Sequence, residues 1–422
     1  MLPINLIREN ADLVKKGIAA KREKVDLEYI LSIDKEQRLL LSELNEKRAQ
    51  RNSASEKIGI AKAKGEDANI AIAEMQKLSK NIKEIESNHS DTTHQLESLL
   101  YNIPNLPHDS VPVGSRTADN KVIRKWGDKP KANFKYKDHL ELGEILKLFD
   151  FKKGAAIAGS GFPLYMGQGA KLERALINFM LDFHVNNYKC KEIIPPFVSR
   201  MESMRNTAQI PKLQDDMYFI ERDELYLIPT AEVPVTNIHQ NEIIDERELP
   251  INYVAYSACF RREAGSYGKD TRGFTRLHQF NKVEIVKFVK PDRSYDELES
   301  LTLQAETILQ ALGLHYRVLA LCTGDLSFAS AKSYDIEVWA PGEERWLEVS
   351  TCSNFEAFQA RRGKIRYRRE EDNKVDFVHT LNGSGLATPR LLIALLETYQ
   401  QADGRISLPE PLQSYFGAKE IL

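Results

Sequence analysis

Met75, Leu78, Ile82, Ile85, His89, Thr92, Leu96 and Leu99 recur at alternating steps of three and four, the seam spacing of a coiled coil. Upstream, Leu27, Ile30, Leu41, Leu44 and Ile58 trace a similar but weaker stripe. No proline interrupts the chain between Ile4 and Ile103. Between the stripes, Lys64-Gly65-Glu66-Asp67 supplies a helix stop and a new start. The pattern predicts two long antiparallel helices, a hairpin too thin to be a domain core.

The stretch 101–120 is rich in Pro, Ser, Asp and Asn and reads as a linker. From about Asp138 the pattern becomes mixed. Amphipathic helical stretches (Lys171 to Tyr188, Tyr295 to Leu312, Leu386 to Gln401) alternate with apolar strands such as NYVAYSACF, HQFNKVEIV, YDIEVWA and RWLEV. Several of these strands follow one another without an intervening helix, which favours an antiparallel sheet with helices packed on it over a doubly wound parallel one. The expectation is an α+β protein with an N-terminal antiparallel helical coiled-coil arm over 1–105 and a globular domain over 106–422.

Composition narrows the function classes. With 422 residues, 42% of them hydrophobic, the chain is long enough for more than one domain with a substantial core. No apolar run approaches the roughly 20 residues of a membrane span, and MLPINLIREN lacks the basic-then-apolar layout of a secretory signal. A cytoplasmic protein with no membrane association is expected. Cys190, Cys259, Cys322 and Cys352 form no CxxC pair and no zinc-ligand spacing, and read as structural thiols. A net charge of −2 gives no overall support for nucleic acid binding, although a local patch can still do it. One such patch is Leu44 to Lys64, where Lys47, Arg48, Arg51, Lys57, Lys62 and Lys64 face only Glu46 and Glu56. On a solvent-facing helix this is commonly just a solvated face; on a projecting hairpin it can track a phosphate backbone.

The densest chemistry lies in FRREAGSYGKDTRGFTRLHQFNKVEI, residues 260–285. There is no GxxxxGK[ST] and no GxGxxG between a strand and a helix. Instead a strand delivers Arg261, whose planar fork can hold phosphate or carboxylate oxygens bidentately. Arg276 and Lys282 add cations, Gly265, Gly268 and Gly273 let the loop bend, and Phe280 offers a ring for a base. A charged surface hairpin is the plain alternative. Two further segments bear on the choice. NGSGLATPRLLIALLE (Asn382 to Glu397) leads a glycine- and serine-rich turn into a helix bearing Arg390, and KEIIPPFVSR ends a short strand at Pro195-Pro196.

A helix, a strand ending in proline, an arginine hairpin and a late arginine-bearing helix resemble, in that order, the three motifs of class II aminoacyl-tRNA synthetases. With the arm included, the chain is similar throughout to the seryl-tRNA synthetase family. The segments FRREAGSYGKDTRGFTRLHQFNKVE, IPTAEVP, EVSTCSNFEAFQARR and NGSGLATPR carry the resemblance.

The resemblance implies a reaction in two steps. A carboxylate oxygen of L-serine attacks the α-phosphate of ATP, giving seryl-adenylate and pyrophosphate; the terminal ribose of tRNA-Ser then takes the seryl group. Whether a selenocysteine tRNA is also served is left open. Positioning and charge stabilisation supply most of such acceleration. By the family match, Arg261 bridges α-phosphate and serine carboxylate. Glu263 accepts from the adenine amino group, Phe280 and Arg390 cover the ring, and Arg276 and Arg390 meet the outer phosphates. Arg262, Leu277, Val349 and Ser350 complete the ATP contacts. Glu348 and Thr351 match the positions that hold magnesium, and Glu348 joins Arg261 and Arg390 as a catalytic residue. Serine recognition falls to Thr230, Ala231, Glu232, Arg261, Glu284 and Ser384.

The family is also a homodimer, with the segment around Pro195 at the interface and the arm reaching the variable arm of tRNA-Ser. Two positions depart from its pattern: Thr351 stands where serine is usual, and Ala208 where glycine is common. The first keeps its oxygen ligand, and the second is expected to alter a loop without changing specificity. A relative that loads a carrier protein would be expected to lack the arm. A catalytically silent relative would be expected to lose Arg261, Glu284 or Arg390, and all three are present.

Overall fold

The computed structural model describes residues 1–65, 67–264 and 272–422. They form two compact units, one of residues 2–19 and 23–104 and the other of Met1, 20–22 and 105–422.

The smaller unit is built on two helices, Leu27–Ala63 and Asn69–Leu100. Asp26 caps the first by accepting from the Tyr29 amide at 3.0 Å. Gly65, at φ +75°, ends it, a backbone conformation that favours glycine. Asp67 opens the second, accepting from the Asn69 amide at 2.9 Å; Glu66 lies outside the described residues. Leu44, Ile82 and Ile85 are buried together, with Leu40 and Leu78 packed against them. Leu41, expected on the seam, faces solvent. The seam tolerates polar members because each is satisfied: Thr92 Oγ1 donates to the Asn88 carbonyl at 2.8 Å, and Gln37 meets the His89 ring at 2.9 Å.

The larger unit centres on an eight-stranded sheet. In spatial order its strands are Lys121–Trp126, Tyr316–Ala320, Lys332–Ala340, Arg345–Asn354, His379–Ala387, Gln279–Val289, Ile251–Phe260 and Lys191–Ile193. All neighbours pair antiparallel except the last two strands, which pair parallel. The helices Gly167–Tyr188, Ser294–Ala311 and Thr388–Tyr399 contribute to one continuous core with the sheet, joining Leu176, Met180, Leu301, Ile308, Leu391 and Leu395 to Val283, Ile285, Val318 and Ile336. Side chains of a strand alternate in direction, so while Val283 and Ile285 enter this core, Val286 and Phe288 enter a second cluster with Ala231 and Ala255 on the other face. Lys282 and Glu284 share that second face.

Two expectations change here. Residues 382–387 are the end of a buried strand, and the helix starts only at Thr388. The glycines that suggest a turn are needed for packing: a Cβ on Gly383 would stand 2.8 Å from Cys352 Sγ, and one on Gly385 2.6 Å from His184 Nε2. The stretch 105–120 is also firmly held within the larger unit. Asn105, buried, donates through Nδ2 to the Ala329 and Phe355 carbonyls at 2.9 Å each, and the Pro112 and Gly114 carbonyls accept from the Thr323 and Gly324 amides. All four cysteines are buried and unbridged. Among the described residues, no helix is long and apolar enough to cross a membrane.

Candidate active site

The strands Ile251–Phe260 and Gln279–Val289 form a hairpin whose register sets Cys259 opposite Phe280, Ser257 opposite Lys282 and Ala255 opposite Glu284. Phe280, Lys282 and Glu284 therefore line one face in succession. Arg261 leaves the hairpin at its open end. Its amide donates to the His278 carbonyl at 2.9 Å, its Nε donates to the Pro229 carbonyl at 3.3 Å, and its guanidinium lies 5.2 Å from the centre of the Phe280 ring. The predicted base-stacking ring thus carries the predicted bridging arginine on it.

Beyond Arg261, the exposed Arg262 and its neighbours are fastened to Asp216, which accepts from the Arg262 amide through its carbonyl at 2.8 Å and from the Ala264 amide through Oδ1 at 2.6 Å. Glu263, at φ +52°, accepts from Arg276 Nη1 at 3.0 Å. Leu277, next in the chain after Arg276, is buried in the main core. Gly265 and Gly268 lie outside the described residues. Gly273 has φ +64°.

At the other end of the row, Glu284 is buried and accepts from Thr230 Oγ1 at 3.1 Å. Its Oε2 also lies 2.5 Å from Lys282 Nζ. Lys282, expected among the phosphate cations, is instead buried against Glu284, because residues two apart on a strand share a face. Ala231 is fully buried, and the Glu232 amide donates to Thr230 Oγ1 at 3.2 Å. Burial, reinforced by the Glu284 charge, pushes the Glu232 carboxyl up to about 7. Gln359, which sequence reasoning passed over, donates to Glu232 Oε1 at 2.7 Å. Ser384 faces Glu284 across the strand pair, and its carbonyl accepts from Ser350 Oγ at 2.7 Å.

The adjoining strands bring two acids to Thr351. Its Oγ1 lies 2.7 Å from Asp335 Oδ1 and 3.2 Å from Glu348 Oε1. Burial, then the nearby Glu348 charge, pushes Asp335 well above the usual carboxylate range. A divalent cation would relieve that crowding, and the donor set is all oxygen, which suits a hard ion such as magnesium. Asp335 gave no signal in the sequence, where nothing separates it from Glu337; the strand register sets it opposite Thr351. Val349 is buried in the main core. Arg390 closes the site: Nη1 donates to the Glu348 carbonyl at 2.9 Å, and Nε donates to the Thr275 carbonyl at 3.2 Å.

In the smaller unit, Arg48 pairs with Glu86 at 2.7 Å. Lys47 and Arg51 are half-buried, while Lys57, Lys62 and Lys64 are exposed.

Two family models match the chain. That of the seryl-tRNA synthetase N-terminal domain covers residues 1–107, and that of the class II tRNA synthetase core domain (G, H, P, S and T) covers residues 217–399. The serine–tRNA ligase of Chloroherpeton thalassium is 52% identical over 428 residues, covering 100% of each chain. Among solved structures, seryl-tRNA synthetase from Pyrococcus horikoshii complexed with ATP superposes with a TM-score of 0.93 at 38% identity, covering 100% of this chain and 99% of that one. Cytoplasmic serine–tRNA ligase from Naegleria fowleri in complex with AMP gives 0.87 at 29% identity, covering 100% and 98%.

Proposed function

The chain belongs to the seryl-tRNA synthetase family, and we propose that the charged hairpin and the strands beside it carry out that family's reaction, activation of serine by ATP and its transfer to tRNA. One observation carries the assignment of roles: Arg261, Phe280, Lys282 and Glu284 follow one another from the open end of the hairpin to a buried carboxylate. An arginine at the head of this row, against the Phe280 ring, can hold two anions at once, the α-phosphate of ATP and the carboxylate of a serine whose ammonium reaches Glu284. Two mutually repelling reactants are thereby brought within attacking distance and neutralised. Losing Arg261 should damage chemistry more than binding.

Glu263 then takes the adenine amino group, and Arg276 and Arg390 take the outer phosphates, with Arg390 also over the base. Arg262, Leu277, Val349 and Ser350 frame the nucleotide. Glu284 receives the serine ammonium, while Thr230, Glu232 and Ser384 surround its hydroxyl and Ala231 bounds the space for its side chain. A pocket with that many buried polar groups rejects alanine by roughly 10⁴- to 10⁵-fold, because alanine leaves them unpaired. Glu348 and Thr351, with Asp335 behind them, would hold magnesium, which supplies charge neutralisation on the phosphates when bound.

The arm fits the extended RNA through Lys47, Arg51, Lys57, Lys62 and Lys64, with Arg48 released from Glu86 to join them. In this reading, 1–105 is the tRNA-binding arm and 106–422 the catalytic domain. A homodimer belongs to it as well: Ile194 and Met201, on either side of Pro195 in the chain, are large apolar side chains left exposed. So does a location in the cytoplasm, where charged tRNA is consumed. Serine-dependent ATP–pyrophosphate exchange with magnesium tests the assignment, with alanine and threonine in parallel and Arg261→Ala as control. Exchange with serine alone, abolished in the variant, is expected; no exchange with any amino acid by folded protein would sink it.

A further inference from the structure

We infer that His139 is a positioning residue for the ATP clamp: as a neutral imidazole it holds the 272–275 turn and, through it, the arginines placed on the nucleotide. The inference rests on the reading above, which sets Arg276 and Arg390 against ATP.

His139 begins the helix His139–Ile145 and is 1% exposed. Its Nε2 accepts from the Phe274 amide at 3.3 Å. The backbone passes so close that a Cβ on Gly273 would stand 2.2 Å from the same Nε2. Phe274, fully buried, is wedged among Phe149, Phe151 and Tyr165. The next residue offers its carbonyl to Arg390, and the one after it is Arg276. Four consecutive residues thus run from the imidazole to both arginines.

The hydrogen bond fixes the tautomer. An accepting Nε2 carries no proton, so Nδ1 does, and Nδ1 faces Glu343 Oε1 at 3.0 Å and Glu397 Oε1 at 3.6 Å. Glu397 is itself pinned, accepting from the amides of His139, Gly342 and Glu343 at 3.0, 2.8 and 3.1 Å. It belongs to the helix Thr388–Tyr399 that also bears Arg390. The three side chains have the spacing of a metal site, their ligand atoms within 4.8 Å of one another. A metal on Nδ1 would drive the proton to Nε2, straight at the Phe274 N–H, so a hydrogen-bonded support fits better.

Protonation opposes the same contact. Burial works against a charged ring, but Glu343 and Glu397 more than offset it, holding His139 above the ordinary histidine range. Arg345 pairs with Glu343 at 2.5 Å, and Asp138 with Arg272 at 3.6 Å beside the turn. A ring protonated at both nitrogens has no acceptor for Phe274, so a seated turn and an imidazolium exclude each other. Acid should therefore loosen the clamp.

The test is pyrophosphate exchange by wild type, His139→Phe and His139→Gln; the glutamine amide oxygen can replace Nε2 as acceptor but does not titrate. In His139→Phe, KM for ATP should rise about tenfold, the worth of one buried hydrogen bond, with KM for serine little changed. His139→Gln should restore it. As pH falls from about 8.5 to about 6, wild-type KM for ATP should climb relative to His139→Gln, a ratio that cancels the titration of ATP itself. Unchanged KM for ATP in folded His139→Phe, equal rises for ATP and serine, or parallel pH profiles for wild type and His139→Gln would each overturn the inference. Should His139→Phe not fold, the pH profiles decide alone. Wild type without serine-dependent exchange would instead refute the enzymatic reading itself.

Discussion

Lys282 Nζ lies 2.5 Å from Glu284 Oε2 with both side chains buried. The carboxylate proposed to receive the serine ammonium is thus already neutralised by a lysine, and it also accepts from Thr230 Oγ1. Removing only the lysine leaves a buried, uncompensated charge, at a cost of about 3 to 5 kcal/mol. Lys282→Met should lower the urea midpoint accordingly, and adding Glu284→Gln should recover most of the loss. Serine turnover follows the carboxylate instead: Glu284→Gln should drop kcat/KM for serine about 100-fold, the scale of a lost charge-assisted hydrogen bond. A double variant no more stable than Lys282→Met would show that the two charges are not energetically coupled.

Arg261 can be separated from a mere positive charge. Lysine keeps the charge but loses the fork that spans two anions. Arg261→Lys should lower kcat of exchange by roughly 10² while KM for ATP moves little, because the bridge matters most in the transition state. A variant with near wild-type kcat would remove the bridging role.

Thr351 Oγ1 sits between two carboxylates, 2.7 Å from Asp335 and 3.2 Å from Glu348. Valine would leave those acids facing each other with neither donor nor oxygen ligand between them. Thr351→Val should raise the magnesium concentration for half-maximal exchange about tenfold, equivalent to one lost ligand interaction. Thr351→Ser should behave as wild type. Identical magnesium titrations for all three proteins would detach Thr351 from the ion.

The hairpin and its polar face were legible in the sequence because strand alternation and arginine chemistry are local signals. Packing was less so. Nothing in NGSGLA announces a buried strand, since the reason for its glycines is the nearness of Cys352 and His184, residues far away in the chain. The stretch 101–120 reads as a linker by composition, yet from Asn105 onward it is held by hydrogen bonds to residues around 323–355. Lys282 shows the same limit. Its alternation with Glu284 was visible, but two charges buried together override the expectation that a lysine faces phosphate.

Ala208 lies where the family resemblance favours glycine, and its φ of +64° gives the reason. An L-residue in that region carries roughly 1 to 2 kcal/mol of strain, partly offset by the freedom glycine gains when unfolded. Ala208→Gly should therefore stabilise by about 0.5 to 1 kcal/mol in denaturant unfolding, with the serine-to-threonine ratio in exchange unaltered. Destabilisation would mean that the buried methyl contributes more than its backbone costs.

Glu173 ties the stability of the site to pH. It sits buried on the helix Gly167–Tyr188, where Oε1 accepts from Asn281 Nδ2 at 2.8 Å and from Thr388 Oγ1. Asn281 lies between Phe280 and Lys282 in the hairpin, and Thr388 opens the helix of Arg390, so one carboxyl braces both from behind the sheet. Burial pushes it up to about 7 from an ordinary 4.5, despite the two hydrogen bonds that favour its charged form. A folded-state value above the unfolded one means that its stabilising share is complete below about 4.5 and is lost as pH rises through about 7. That window corresponds to about 3 kcal/mol. Glutamine keeps the accepting oxygen and never ionises, so Glu173→Gln should match wild type near pH 4 and exceed it by about 3 kcal/mol near pH 8. Glu232, which titrates in the same range, is common to both proteins and cancels in the difference. Parallel stability curves across that range would show that Glu173 titrates in the folded protein as it does in the unfolded chain, with its charge accommodated by the two donors.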